Sequence, residues 1–88
     1  MHKFLIEEKL EKIMIKLERK NKILYEQLKK KVSEIISSDN IEHYKNLTHN
    51  MKDLKRVHVG HFVLVFSFDK KNNLISFEDF DHHDNIYK

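Results

Sequence analysis

Seven of the 88 residues are histidine, a high share for a chain this short. Five of them, His49, His58, His61, His82 and His83, fall between positions 49 and 83. Imidazole titrates near neutrality, so it can take and give protons at working pH. The cations Lys52, Lys55 and Arg56 lie in the same stretch, and Tyr87 stands next to the last residue. Three readings of this set compete. The first is metal binding by His82-His83-Asp84. Adjacent residues of an extended segment point to opposite faces, so such a site would need His58, His61 or Asp81 from neighbouring strands. No HxxxH or HExxH spacing supports it. The second reading is that these are ordinary exposed strand residues and a solvated terminus.

The third reading is acid–base chemistry on a polyanion. RNA can be cleaved by its own 2′-hydroxyl without a metal or cofactor. That reaction needs a base for the hydroxyl, an acid for the departing 5′-oxygen and cations for the charge on the phosphorane. Arg56, His58, Lys52, Lys55, His82 and His83 supply those residue types. A tyrosine such as Tyr87 would stack a base or orient the phosphate.

The elements that must position these groups follow from two periods. Leu10, Ile13, Met14 and Leu17 recur at i, i+3, i+4 and i+7, one face of a helix. A break at Arg19-Lys20-Asn21-Lys22 follows, and Leu24, Leu28, Val32, Ile35 and Ile36 continue as a second amphipathic helix. Ser37-Ser38-Asp39-Asn40 ends it, because these side chains compete for backbone hydrogen bonds. The period then shortens to two. Val57 and Val59 face one way, and Arg56 and His58 the other. The only glycine, Gly60, marks a turn or bulge. Phe62–Phe66 is apolar on both faces, as suits a central strand. Asp69–Asn73 is a turn whose Asn-Asn tolerates φ > 0. Leu74–Phe80 is a third strand, and Asp81–Lys88 a polar tail. His2–Ile6 reads equally as a short edge strand or as the first turn of the first helix. The expected fold is therefore α+β: an N-terminal helical hairpin on one face of a small antiparallel β-sheet, all in one domain over residues 1–88. The other sheet face carries Arg56 and His58 and is only partly covered.

Composition narrows the classes. There is no cysteine, which excludes a disulfide framework, a thiolate metal site and a cysteine nucleophile. No apolar run approaches the roughly 20 residues of a membrane span, and the N-terminus lacks an uninterrupted apolar signal core. The expectation is a soluble, cytoplasmic protein. Charge is uneven along the chain. Residues 1–56 hold fourteen basic and nine acidic side chains, and residues 57–88 three and five. The basic half suits a polyanionic partner, or is solvated helix surface.

The order of parts carries a resemblance. Two helices, then Leu54-Lys55-Arg56-Val57-His58-Val59-Gly60, the apolar strand Phe62–Phe68, and His82-His83-Asp84-Asn85-Ile86-Tyr87 resemble the RelE/ParE superfamily of toxin–antitoxin toxins. The resemblance is strongest over Tyr44–Lys88, while the helical half matches in pattern alone. It implies an mRNA endonuclease, usually acting on the ribosome and translation, and inhibited by a cognate RelB-like antitoxin. It also implies roles. Arg56 and His58 stand where basic residues before the glycine act on the phosphate and 2′-hydroxyl. His83 matches the acid after the last long strand, with His82 as its neighbour and fallback. Tyr87 matches the tyrosine that stacks on mRNA. Two departures accompany these matches. Val63 occupies a position where many members carry arginine, so His61 or Lys55 would have to supply that clamp. His58 replaces the usual lysine. The same fold serves ParE toxins, which inhibit DNA gyrase without cutting RNA, so fold does not decide function. A non-nucleolytic toxin and an inactive antitoxin-binding module are the alternatives.

Overall fold

The computed structural model describes residues 1–47 and 54–87; His49 and Lys52 lie outside them. The order of elements is β1 (Lys3–Ile6), α1 (Glu8–Lys20), α2 (Lys22–Ile36), a short 3-10 turn at Ile41–His43, β2 (Leu54–Val59), β3 (Phe62–Asp69), β4 (Leu74–His82) and α3 (His83–Ile86).

The helices form as their apolar spacing requires. Acidic Glu8 and Glu11 open α1, and Arg19 and Lys20 close it, matching the helix dipole at both ends. The break between the helices is narrower than the four residues expected: it is Asn21 alone. Asn21 donates its N–H to the Leu17 carbonyl at 2.8 Å, and its side-chain oxygen accepts from Leu24 N at 3.2 Å. One asparagine thus ends one helix and caps the next. Leu10 is fully buried, with Ile13, Met14 and Leu17 packed beside it. Leu24, Leu28, Val32, Ile35 and Ile36 are buried from α2.

The helices cover one face of a four-stranded sheet of order β1-β4-β3-β2. Leu64, Phe66, Ile75, Phe77 and Phe80 meet them there. The β2–β3 and β3–β4 pairs are antiparallel. The sheet as a whole is mixed, however, which corrects the all-antiparallel expectation. Residues Lys3–Ile6 resolve to a strand, and it runs parallel to β4. Glu7 N extends that pairing to the Phe77 carbonyl at 2.9 Å, and His2 N anchors the start to the Ile36 carbonyl at 3.0 Å.

Two turns and one irregularity set the open face. Gly60 has φ +61, and Val59 pairs with Phe62 across Gly60-His61. Glycine at the first turn residue, with φ positive there alone, is the II′ pattern of tight hairpins. Asn73 takes φ 52 at the β3–β4 turn, the left-handed region that asparagine tolerates. In β4 the register jumps: Val65 pairs with Asp79, but Phe66 pairs with Phe77. The extra residue is a β-bulge, which reverses the alternation beyond it. Ile75 and Phe77 point to the helices, and so does Phe80, three residues on.

Candidate active site

Directly paired strand residues share a sheet face. On the face away from the helices, His58 pairs with Val63 and Arg56 with Val65 on one side. Asp81 and Asp79 pair with the same two valines on the other. Without the bulge, Asp79 and Asp81 would face the helices. Both valines are buried, although the helical hairpin lies on the opposite side. Their cover comes from β4's continuation. Where a polar tail was expected, β4 runs two residues further, to His82, and His83–Ile86 forms one helical turn, α3, against β3 and β4.

Asp81 builds that turn. Its Oδ1 accepts from Asn85 Nδ2 at 3.1 Å, one turn on, and from His82 N at 2.7 Å. The Asn85 amide holds the Asp81 carboxyl below the ordinary carboxylate value, aided by the His82 N–H and the charge of Lys9, and opposed by burial. His82 Nδ1 accepts from Asp84 N at 3.3 Å. That contact requires the Nδ1 lone pair. His83 N donates to the His61 carbonyl at 2.9 Å, which ties the start of α3 to the β2–β3 turn.

This arrangement brings four of the sequence-selected residues together. The His58 and His83 rings stack with centroids 5.7 Å apart and planes 24° from parallel. The Tyr87 ring lies 4.6 Å beyond His83. The Arg56 guanidinium carbon sits 5.9 Å from the Tyr87 ring centroid. Two side-chain atoms of this group, Arg56 Nε and Tyr87 OH, are buried and have no hydrogen-bond partner among the described residues. A buried donor left unpaired costs about 1–3 kcal/mol. An acceptor that reached such a group would recover it, and a phosphate oxygen has the charge and lone pairs to do so.

The remaining candidates lie elsewhere. His61 and His82 form a second stacked pair at 6.4 Å, and His82 also meets the edge of Phe62 at 5.6 Å. Lys55 pairs with Phe66 and so shares the helix-side face. Its ammonium donates to the Tyr44 carbonyl at 3.2 Å and to Asn46 Oδ1 at 3.4 Å. It is therefore occupied away from the His58–His83 pair. Lys52 lies outside the described residues. Among the described residues, no three histidine or acidic side chains are grouped to hold a metal ion. None of their helices is long and apolar enough to cross a membrane. Reading the sequence missed Asp81 and Asn85 as the clamp under α3; their i, i+4 spacing was the available signal.

A helical hairpin on a four-stranded mixed sheet, with imidazole and guanidinium on the face away from the hairpin, has the form of a RelE-like toxin. No family model matches the chain, and no solved structure matches it. Two curated proteins do. One, from Methanocaldococcus jannaschii, bears the name "Putative toxin RelE4" and is 47% identical over 89 aligned residues, covering 100% of this chain and 93% of that protein. The other is an uncharacterized protein of Methanosarcina mazei, 49% identical over 73 residues, covering 82% of this chain and 83% of its own. The chain belongs to the RelE-like toxin family.

Proposed function

We propose that this protein is the toxin of a toxin–antitoxin pair and that it cleaves mRNA, on the ribosome, by a side-chain-driven mechanism without a metal. His58 is the base, His83 the acid, Arg56 the phosphate clamp and Tyr87 the stacking and orienting group. The observation that carries this reading is the set of two unpartnered donors, Arg56 Nε and Tyr87 OH, beside a stacked imidazole pair.

The chemistry runs as a transesterification. His58 removes the proton of the 2′-hydroxyl, and O2′ attacks phosphorus. Charge gathers on the non-bridging oxygens, where Arg56 and the Tyr87 hydroxyl stabilise it. The P–O5′ bond breaks as His83 protonates the leaving oxygen. The products are a 2′,3′-cyclic phosphate and a 5′-hydroxyl. Rings 5.7 Å apart leave no room for a phosphorane between their faces, so the phosphate meets their edges. Inhibition would come from a RelB-like antitoxin in the cytoplasm.

Primer extension on mRNA from expressing cells tests this, followed by purified protein with ribosomes in EDTA. Discrete cuts with 5′-hydroxyl ends that survive EDTA and vanish in His83→Ala are expected. Intact mRNA with arrested growth would replace this reading with a protein-targeting toxin. Intact mRNA with normal growth would leave an antitoxin-binding module.

A further inference from the structure

We infer that the groove between α2 and the β2–β3 turn is a binding subsite for one nucleotide of single-stranded RNA flanking the cut phosphate. The inference rests on the nuclease reading above and deepens it. The groove has a volume of about 320 Å³, the low end of small-ligand sites. It adjoins the candidate active site through His58, which lines the groove and stacks on His83. The His58 ring lies on the face away from the helices, so an RNA strand held there enters the groove by passing round β2, which is the edge strand of the sheet.

The wall from α2 suits a sugar–phosphate backbone. Gln27, Lys30, Lys31 and Glu34 recur at i, i+3, i+4 and i+7, so one helix face presents them together. Lys31 is held by Glu34 at 2.9 Å, and that bond keeps the Glu34 carboxyl below its ordinary value. Lys30 is exposed and has no ion-pair partner among the described residues. It supplies the net positive charge, and the Gln27 amide lies one turn earlier to meet a sugar or base edge. The opposite wall is bare backbone at Gly60. A methyl group built there would meet nothing within 4 Å, so a ligand can approach the main chain closely. The molecule also has a second basic hollow, of about 380 Å³, lined by Lys16, Arg19 and Lys20. It shares no residue with the site and is the matched control for charge alone.

The test is fluorescence anisotropy of a labelled ten-nucleotide RNA whose riboses are all 2′-O-methyl, which the proposed reaction cannot cut. Lys30→Gln should weaken binding about threefold to fivefold at low salt, and should lower the salt slope by about 0.7, one single-strand phosphate contact. Lys30→Arg should bind as the parent does, and Lys16→Gln should stay within a factor of two. Equal losses in Lys30→Gln and Lys16→Gln would overturn the subsite, as would no binding by the parent chain. The reading beneath it fails separately. RNA binding that depends on Lys30 without any cleavage would sink the nuclease and leave the groove standing. Cleavage with binding indifferent to Lys30 would do the reverse.

Discussion

The ring of His58, on β2, and the ring of His83, at the start of α3, are stacked 5.7 Å apart although 25 positions separate them in sequence. Two links hold them there: the antiparallel ladder that sets His58 over Val63, and the His83 N–H bond to the His61 carbonyl. Neither histidine is buried, so both remain open to substrate and solvent.

A base and an acid acting in one step give coupled losses. His58→Ala and His83→Ala should each lower the cleavage rate roughly 10²- to 10⁴-fold. The double variant should fall far short of the product of the two, because residues acting as a unit are not additive. The parent should show a bell-shaped rate–pH profile, and each single variant should lose one limb. Single-turnover cleavage across pH 5 to 9 reads both.

Tyr87 should trade stability for function. Its hydroxyl is buried and unpartnered, so Tyr87→Phe removes an unmet polar group rather than a bond. Thermal unfolding should show Tm unchanged or raised, by an amount consistent with about 1 kcal/mol. RNA cleavage should nevertheless drop. A lower Tm would mean that the hydroxyl has a partner in solution and that its role is structural.

The α3 turn should loosen in acid. The folded Asp81 carboxyl titrates below its ordinary value of 3.8. A depressed folded pKa contributes stability above the unfolded pKa and loses it as pH falls through the folded one. Relative to its intrinsic rate at each pH, exchange of the Tyr87 amide, which is bonded to the His83 carbonyl, should therefore accelerate as pH drops below about 4, ahead of the helical hairpin. Asn85→Ala should show the faster exchange already at neutral pH. At neutral pH it should also lower kcat more than it raises KM, because His83 and Tyr87 would be mispositioned.

Much of this arrangement was legible in the residues. The spacing of Leu10 to Leu17 and of Leu24 to Ile36 named the buried helix faces, since a period of 3.6 is read locally. Gly60 and the Asn72-Asn73 pair marked both hairpin turns, because only certain residues accept φ > 0. What stayed hidden depends on distant partners. The parallel docking of Lys3–Ile6 on β4 joins segments about seventy positions apart. A four-residue helix has no period of its own, and α3 forms because Asp81 reaches Asn85 and the valines of β3 need cover. The meeting of Arg56 with Tyr87 follows from that turn, not from either residue's neighbours.

The bulge in β4 lets Phe77 and Phe80 both reach the core although two residues stand between them, and deleting the extra one tests it. Without Glu78 the pairs Val65–Asp79, Leu64–Phe80 and Val63–Asp81 stand as they are, and strict alternation runs from Phe77 to Asp81. Phe80, 2% exposed, stays in the core, and Asp79 and Asp81 stay on the face away from the hairpin. The deletion should therefore keep a cooperative unfolding transition. Glu78→Ala keeps the residue count and loses the 2.9 Å bond from Ser67 Oγ. It should lower Tm by a few degrees, and the deletion, which loses the same bond, should melt close to it. Circular dichroism melts of the two variants side by side read this. A deletion variant without a cooperative transition would show that the bulge itself, and not the alternation it corrects, holds the strand in register.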